Sequence, residues 1–179
     1  VVRGACTGGV SRWVTWVLEG FASMNYAEWF ATVPREITDD PLWRTEVYRL
    51  ALFLGDLAWA DAEKLFKHAL MRSLADQLYR STGSISANIA EGYSRASKKD
   101  QARFYEYALG SAREARDWYY KARFVLGPDV TNHRLRVLVE ITKHLMRMVP
   151  SYRGKTIREE KADYTTNEPA LLENIPMPD

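Results

Sequence analysis

The chain has 179 residues, 25 Lys+Arg against 23 Asp+Glu for a formal charge of +2, and it is 46% apolar and 27% charged. Such a length and mix suit one folded domain with tails, and they exclude wholesale disorder. No apolar run approaches the roughly 20 residues of a membrane-spanning helix. The single cysteine, Cys6, excludes an intrachain disulfide and a zinc site with two thiolates, so the expected location is cytoplasmic.

Residues 1–23 mix glycine, small residues and tryptophan without a sustained period. They are expected to be poorly ordered or an over-extended gene start before Met24, and the stretch between Arg12 and Glu19 is too short for a secretory signal. Over residues 24–40, Tyr26, Trp29 and Phe30 share one side of a short helix that Pro34 limits, followed by a linker. Asp40 as N-cap and Pro41 in the first turn open the first long helix, with Trp43, Val47, Leu50, Leu54, Leu57 and Ala58 at three- and four-residue steps. Asp61 to His68 is expected to be a loop or loose turn.

The spacing predicts a second helix from about Ala69 to Tyr93, with Met71, Leu74, Leu78, Ile85 and Ile89 on its inner face and small residues from Ser81 to Ala87. The third has the firmest ends: Ser97 and Asp100 match a capping pattern, and Gly127 with Pro128 supplies the stop. Between them Tyr105, Ala108, Ala112, Ala115, Tyr119 and Ala122 form the inner line, and their small side chains suit close antiparallel packing on the second helix. Leu135, Leu138, Ile141, Leu145, Met148 and Val149 mark a fourth helix that Pro150 is expected to end. Residues 151–179, with Pro169, Pro176 and Pro178, read as a flexible acidic tail. No segment reads as a strand. The predicted fold is all-α: an antiparallel up-down four-helix bundle over residues 41–150, with a short N-terminal helix and flexible termini.

The Glu-x-x-His pairs of a di-iron bundle are absent from the sequence, and His68, His133 and His144 are scattered. There is no glycine-rich phosphate loop, no His-Glu-x-x-His helix and no nucleophile elbow. No catalytic residue, metal ligand or cofactor is therefore expected, and an enzyme is not expected.

Basic residues remain. Arg113, Arg116, Tyr120 and Arg123 follow at three-four-three spacing on the third helix, and Arg95, Lys98, Lys99 and Arg103 cluster at its start. Interleaved with Tyr107 and Tyr120, these cations are candidates for phosphates and bases of RNA or DNA. Glu114 and Asp117 lie among them, which equally suits a solvated face with weak helix ion pairs. The fourth helix adds Arg134, Arg136, Lys143 and Arg147, with Arg153 and Lys155 beyond, against Glu140 alone. Positive charge thus concentrates in the second half, where a polyanion, the acidic tail or a neighbouring subunit would meet it.

The run NIAEGYSR places Asn88 and Gly92 near the inner face and Glu91 within reach of Arg95, a structural arrangement with no second acid or nucleophile beside it. That run, followed by Ser97, Asp100 and RFYEYALGSARE, resembles a bacterial four-helix-bundle family. The family includes proteins encoded in intervening sequences of large-subunit ribosomal RNA genes and the accessory variability determinant of diversity-generating retroelements. The resemblance spans roughly residues 42 to 149. It implies an up-down bundle assembled as a homopentamer, nucleic acid as ligand, and, from the retroelement member, a reverse transcriptase as partner. Asn88, Glu91, Gly92, Gly110, Ser111 and Glu114 match motif positions read as architectural. Trp118, Tyr119, Tyr120 and Phe124 are more aromatics than one internal stripe requires, and are expected at subunit contacts. The expected function is a non-enzymatic, oligomeric, nucleic-acid-binding accessory factor, with a structural or protein-interaction bundle as the alternative.

Overall fold

The structure, a computed structural model, describes residues 25–153 and 168–178, and the expectations for residues 1–23 lie outside them. The described residues are helical, with no strand among them. None of these helices is long and apolar enough to cross a membrane.

Helix α1, Tyr26–Thr32, opens on a capping box. The Asn25 side chain accepts from the Glu28 amide at 3.0 Å, and Glu28 accepts from the Asn25 amide at 3.0 Å. Val33 is extended before Pro34, and the one-turn helix α2, Arg35–Thr38, follows. Asp40 does cap, accepting from the Leu42 amide at 2.7 Å, but what it caps is a 3-10 turn, Pro41–Arg44. The first long helix, α3, starts later and spans Glu46–Lys67.

The loop expected over Asp61 to His68 does not exist: α3 runs through it to Lys67. Asp61 and Leu65 continue the inward register of Leu54, Leu57 and Ala58, and all five are buried. A 3-10 turn at Ala69–Met71 leads into α4, Arg72–Tyr93. Helix α5, Lys98–Leu126, carries both predicted ends: Ser97 Oγ accepts from the Asp100 amide at 3.4 Å, and Gly127 takes φ 82° as the stop.

Helix α6 spans Pro128–Arg153 and passes through Pro150, which was expected to end it. A proline this near the helix end removes one backbone bond. Packing beyond it holds the last turn, where the Tyr152 ring meets Tyr105 edge-on at 5.3 Å.

Helices α3 and α4, α4 and α5, α5 and α6, and α6 and α3 pack on one another. Their inward side chains share one core, from Leu54 and Leu78 to Ile89, Ala112, Leu138, Ile141 and Leu145. Outside it, Trp29, Trp43, Phe53 and Leu57 form a second apolar cluster. Trp29 is anchored there by its indole N–H, which donates to Asp56 at 2.7 Å. Within the stretch read as a flexible tail, Glu168–Glu173 forms helix α7, and Leu171 is buried against the main core while Leu172, Ile175 and Met177 pack on the second cluster.

Candidate nucleic-acid interface

The start of α5 gathers four of the predicted cations. Lys98, Lys99 and Arg103 are exposed within its first two turns, and exposed Arg95 lies just before it. Arg95 and Arg103 both lie over the Phe104 ring, at 4.7 and 5.5 Å from its centroid. Arg95 also pairs with Glu91 one turn back. This is the positive end of a 29-residue helix, and the acid in its first turn is Asp100. Lys98 and Lys99 therefore add to the macrodipole instead of opposing it, a placement that costs helix stability and favours an external anion.

Arg113, Arg116 and Arg123 sit further along. Ten residues separate Arg103 from Arg113, about 15 Å along the axis. Arg113 is exposed, while Arg116 and Arg123 are half-buried. Arg123 is turned onto its own helix: it donates to the Tyr120 carbonyl at 2.7 Å and stacks on Tyr120 and Phe124, at 4.0 and 4.1 Å from their centroids. Lys121 pairs with Asp117 at 2.5 Å and lies over Trp118 at 4.4 Å. The predicted stripe thus divides into an open basic cluster at the start of α5 and a second group folded against aromatic rings and carboxylates.

The motif residues part company. Gly92 is buried, and a Cβ there would stand 2.8 Å from Tyr105 Cε1 and 3.1 Å from Phe104 Cβ. It is the place where α4 meets α5 most closely. Half-buried Asn88 donates to the Ser84 carbonyl at 2.8 Å, within its own helix. Gly110 is exposed with open space where a Cβ would be, Ser111 is half-buried, and exposed Glu114 accepts from the Trp118 indole at 3.2 Å. Nothing in the chain's own packing requires glycine at 110.

Two expectations about the surface are corrected. Tyr119 is fully buried and belongs to the core, so it is no surplus aromatic; Tyr120 and Phe124 are the exposed ones, at 56% and 78%. Arg134 is fully buried as well and leaves the basic face of α6. Its guanidinium donates to Asp61 twice, Nε to Oδ2 at 2.8 Å and an NH2 group to Oδ1 at 3.1 Å. The Tyr119 hydroxyl donates to the same Oδ2 at 2.9 Å, and burial raises its pKa well above the usual 10.0. A second Arg134 nitrogen meets His133 Nδ1 at 2.9 Å. On the rest of that face Arg136 and Arg147 are exposed, while Lys143 pairs with Glu140 at 2.8 Å.

This network went unread in the sequence although a signal was there. Asp61 and Arg134 each occupy an inward position of their helix, opposite charges on core registers of two different helices. Buried charges need partners, so each position asks for the other.

A family model described as "23S rRNA-intervening sequence protein" matches residues 44–149, from the 3-10 turn before α3 nearly to the end of α6. No curated protein and no solved structure matches the chain.

Proposed function

Because the chain belongs to the 23S rRNA-intervening sequence protein family, we propose that it is a non-enzymatic accessory protein that binds nucleic acid through the start of α5. The observation carrying this reading is the exposed set Arg95, Lys98, Lys99 and Arg103 at a helix N-terminus. Phosphates would meet two sources of positive potential at once there, the side chains and the aligned peptide dipoles. The arrangement specifies backbone charge and not base identity, so binding is sequence-tolerant and strongly salt-dependent.

The scaffold is an antiparallel up-down four-helix bundle, a reading supported by the short connections at residues 68–71, 94–97 and 127. It assembles with copies of itself as a pentamer, supported by the exposed rings of Tyr120 and Phe124. Repetition around a ring multiplies one modest cation cluster into a continuous surface.

The test is charge reversal of Lys98, Lys99 and Arg103 to glutamate. Acids in the first turns favour the helix, so helicity persists while RNA or DNA retention at low salt falls by about tenfold or more and the salt slope shrinks. Wild-type protein that retains neither nucleic acid at low salt rejects this reading. The second reading, a protein-interaction module, then stands. It is favoured by an apolar cleft of about 310 Å³ between α3 and α4, lined by Trp59, Phe66 and Tyr79.

A further inference from the structure

His133 lies in the second turn of α6 and is buried. A guanidinium has no acceptor, so at the 2.9 Å contact Arg134 donates and His133 Nδ1 accepts. The ring proton is then on Nε2, which donates to the Leu171 carbonyl at 2.8 Å. Arg134 also donates to Met177 Sδ at 3.8 Å. The segment 168–178 is held to the long helices by these two polar contacts and by Leu171, Leu172, Ile175 and Met177. It lies beyond the residues that the family model matches.

We propose that residues 168–178 are a proton-gated strap, docked while His133 is neutral and released when the ring takes a second proton. This goes beyond the nucleic-acid reading and does not depend on it. A proton on Nδ1 would set N–H against N–H and cation against cation at Arg134, while the Nε2 bond to Leu171 remains tied to the same ring. The groups that surround the ring leave that charge uncompensated. Arg134 and Arg136 face it along α6, Leu171 presents a carbonyl from α7, and Asp61 of α3 is already engaged by Arg134 and by Tyr119 of α5. Release bares the apolar surface beneath Leu172, Ile175 and Met177 without disturbing the helices below.

Burial, and then Arg134, lower the His133 pKa from 6.5 to about 4. A depressed pKa in the docked state means that docking is complete above the ordinary value and weakens as pH falls towards the docked one. Between pH 6.5 and 4, the ratio of docked to released strap falls by up to about tenfold per pH unit, and it levels off below that window.

The experiment follows the Met177 methyl resonance of the full chain, labelled with methyl-¹³C methionine and assigned through Met177→Leu, while circular dichroism tracks the helices. In the wild type the resonance moves to its solvent-exposed position across that pH window with helicity constant. His133→Gln keeps one acceptor for Arg134 and one donor for the Leu171 carbonyl but takes no proton, so its strap stays docked throughout. His133→Phe has neither contact and shows the exposed resonance at every pH. A wild-type resonance that moves only as helicity is lost overturns the proposal, as does a Gln variant that follows the wild-type curve or a Phe variant that remains docked.

Discussion

Arg134 grips both carboxylate oxygens of Asp61 across the core, 73 residues apart in the chain, with both side chains fully buried. Desolvating two ions costs several kcal/mol each, and their bidentate geometry with the Tyr119 hydroxyl offsets that cost. The pair is expected to be costly to break and cheap to replace. Arg134→Met alone strands the carboxylate and lowers stability by about 3–5 kcal/mol in urea unfolding. The triple variant Asp61→Leu, Arg134→Met, Tyr119→Phe removes the whole polar set and recovers most of that loss. A triple variant no more stable than Arg134→Met would show that the ions contribute more than their own compensation.

Alkaline titration separates the tyrosines. Tyr105 is buried, and desolvation followed by the neighbouring Tyr152 pushes its pKa up to about 12. Tyr119, buried beside the Asp61 carboxylate, lies further up. Raised pKa values favour the neutral phenols in the fold, so their contribution is complete below pH 10, the ordinary value, and is lost as pH rises through about 12. Phenolate absorbance is expected to show exposed Tyr107 and Tyr120 ionising first, and Tyr119 only together with loss of helicity.

Two glycines make a matched pair. Gly92→Ala drives a methyl to 2.8 Å from the Tyr105 ring and 3.1 Å from Phe104 Cβ, and is expected to cost about 1–3 kcal/mol. Gly110→Ala meets open space in the middle of α5 and is expected to gain up to about 1 kcal/mol from helix propensity. Opposite shifts of Tm would bear out the contact at Gly92, while equal shifts would refute it.

On α6, Thr142 Oγ1 is buried without a hydrogen-bond partner. Removing an unsatisfied hydroxyl relieves its desolvation cost while Val keeps the branched shape. Thr142→Val should leave stability unchanged or raise it by about 1 kcal/mol. Destabilisation beyond that amount in urea unfolding would mean that the hydroxyl has a partner after all.

The helix ends that local chemistry sets were legible. Ser97, Asp100 and Gly127 act through backbone groups within four residues of themselves, so their spacing alone announces α5. Asp40 signalled a cap correctly, yet whether a 3-10 turn or a long helix follows depends on the burial of Leu42 and Trp43 against elements far along the chain. The same holds for Asp61: read locally, a run with Asp, Glu and Lys looks like a polar turn, and only Arg134 on another helix makes it core. Of the basic stripe, the positions on α5 were readable, whereas the stacking of Arg123 on Tyr120 and Phe124 depends on rotamers that spacing does not encode.

Gly127 is the whole connection between α5 and α6. A joint of one residue has no slack, so it works as a keyway that sets the rotational phase of α6 against α5. Each residue of an α-helix turns the chain by about 100°. Lengthening the joint by one residue would swing the Arg134 side of α6 out of the core unless the helix slid to compensate. The charge buried opposite Asp61 is thus indexed by a glycine seven positions away that touches neither residue, and this corner of the chain is where insertions are least tolerated.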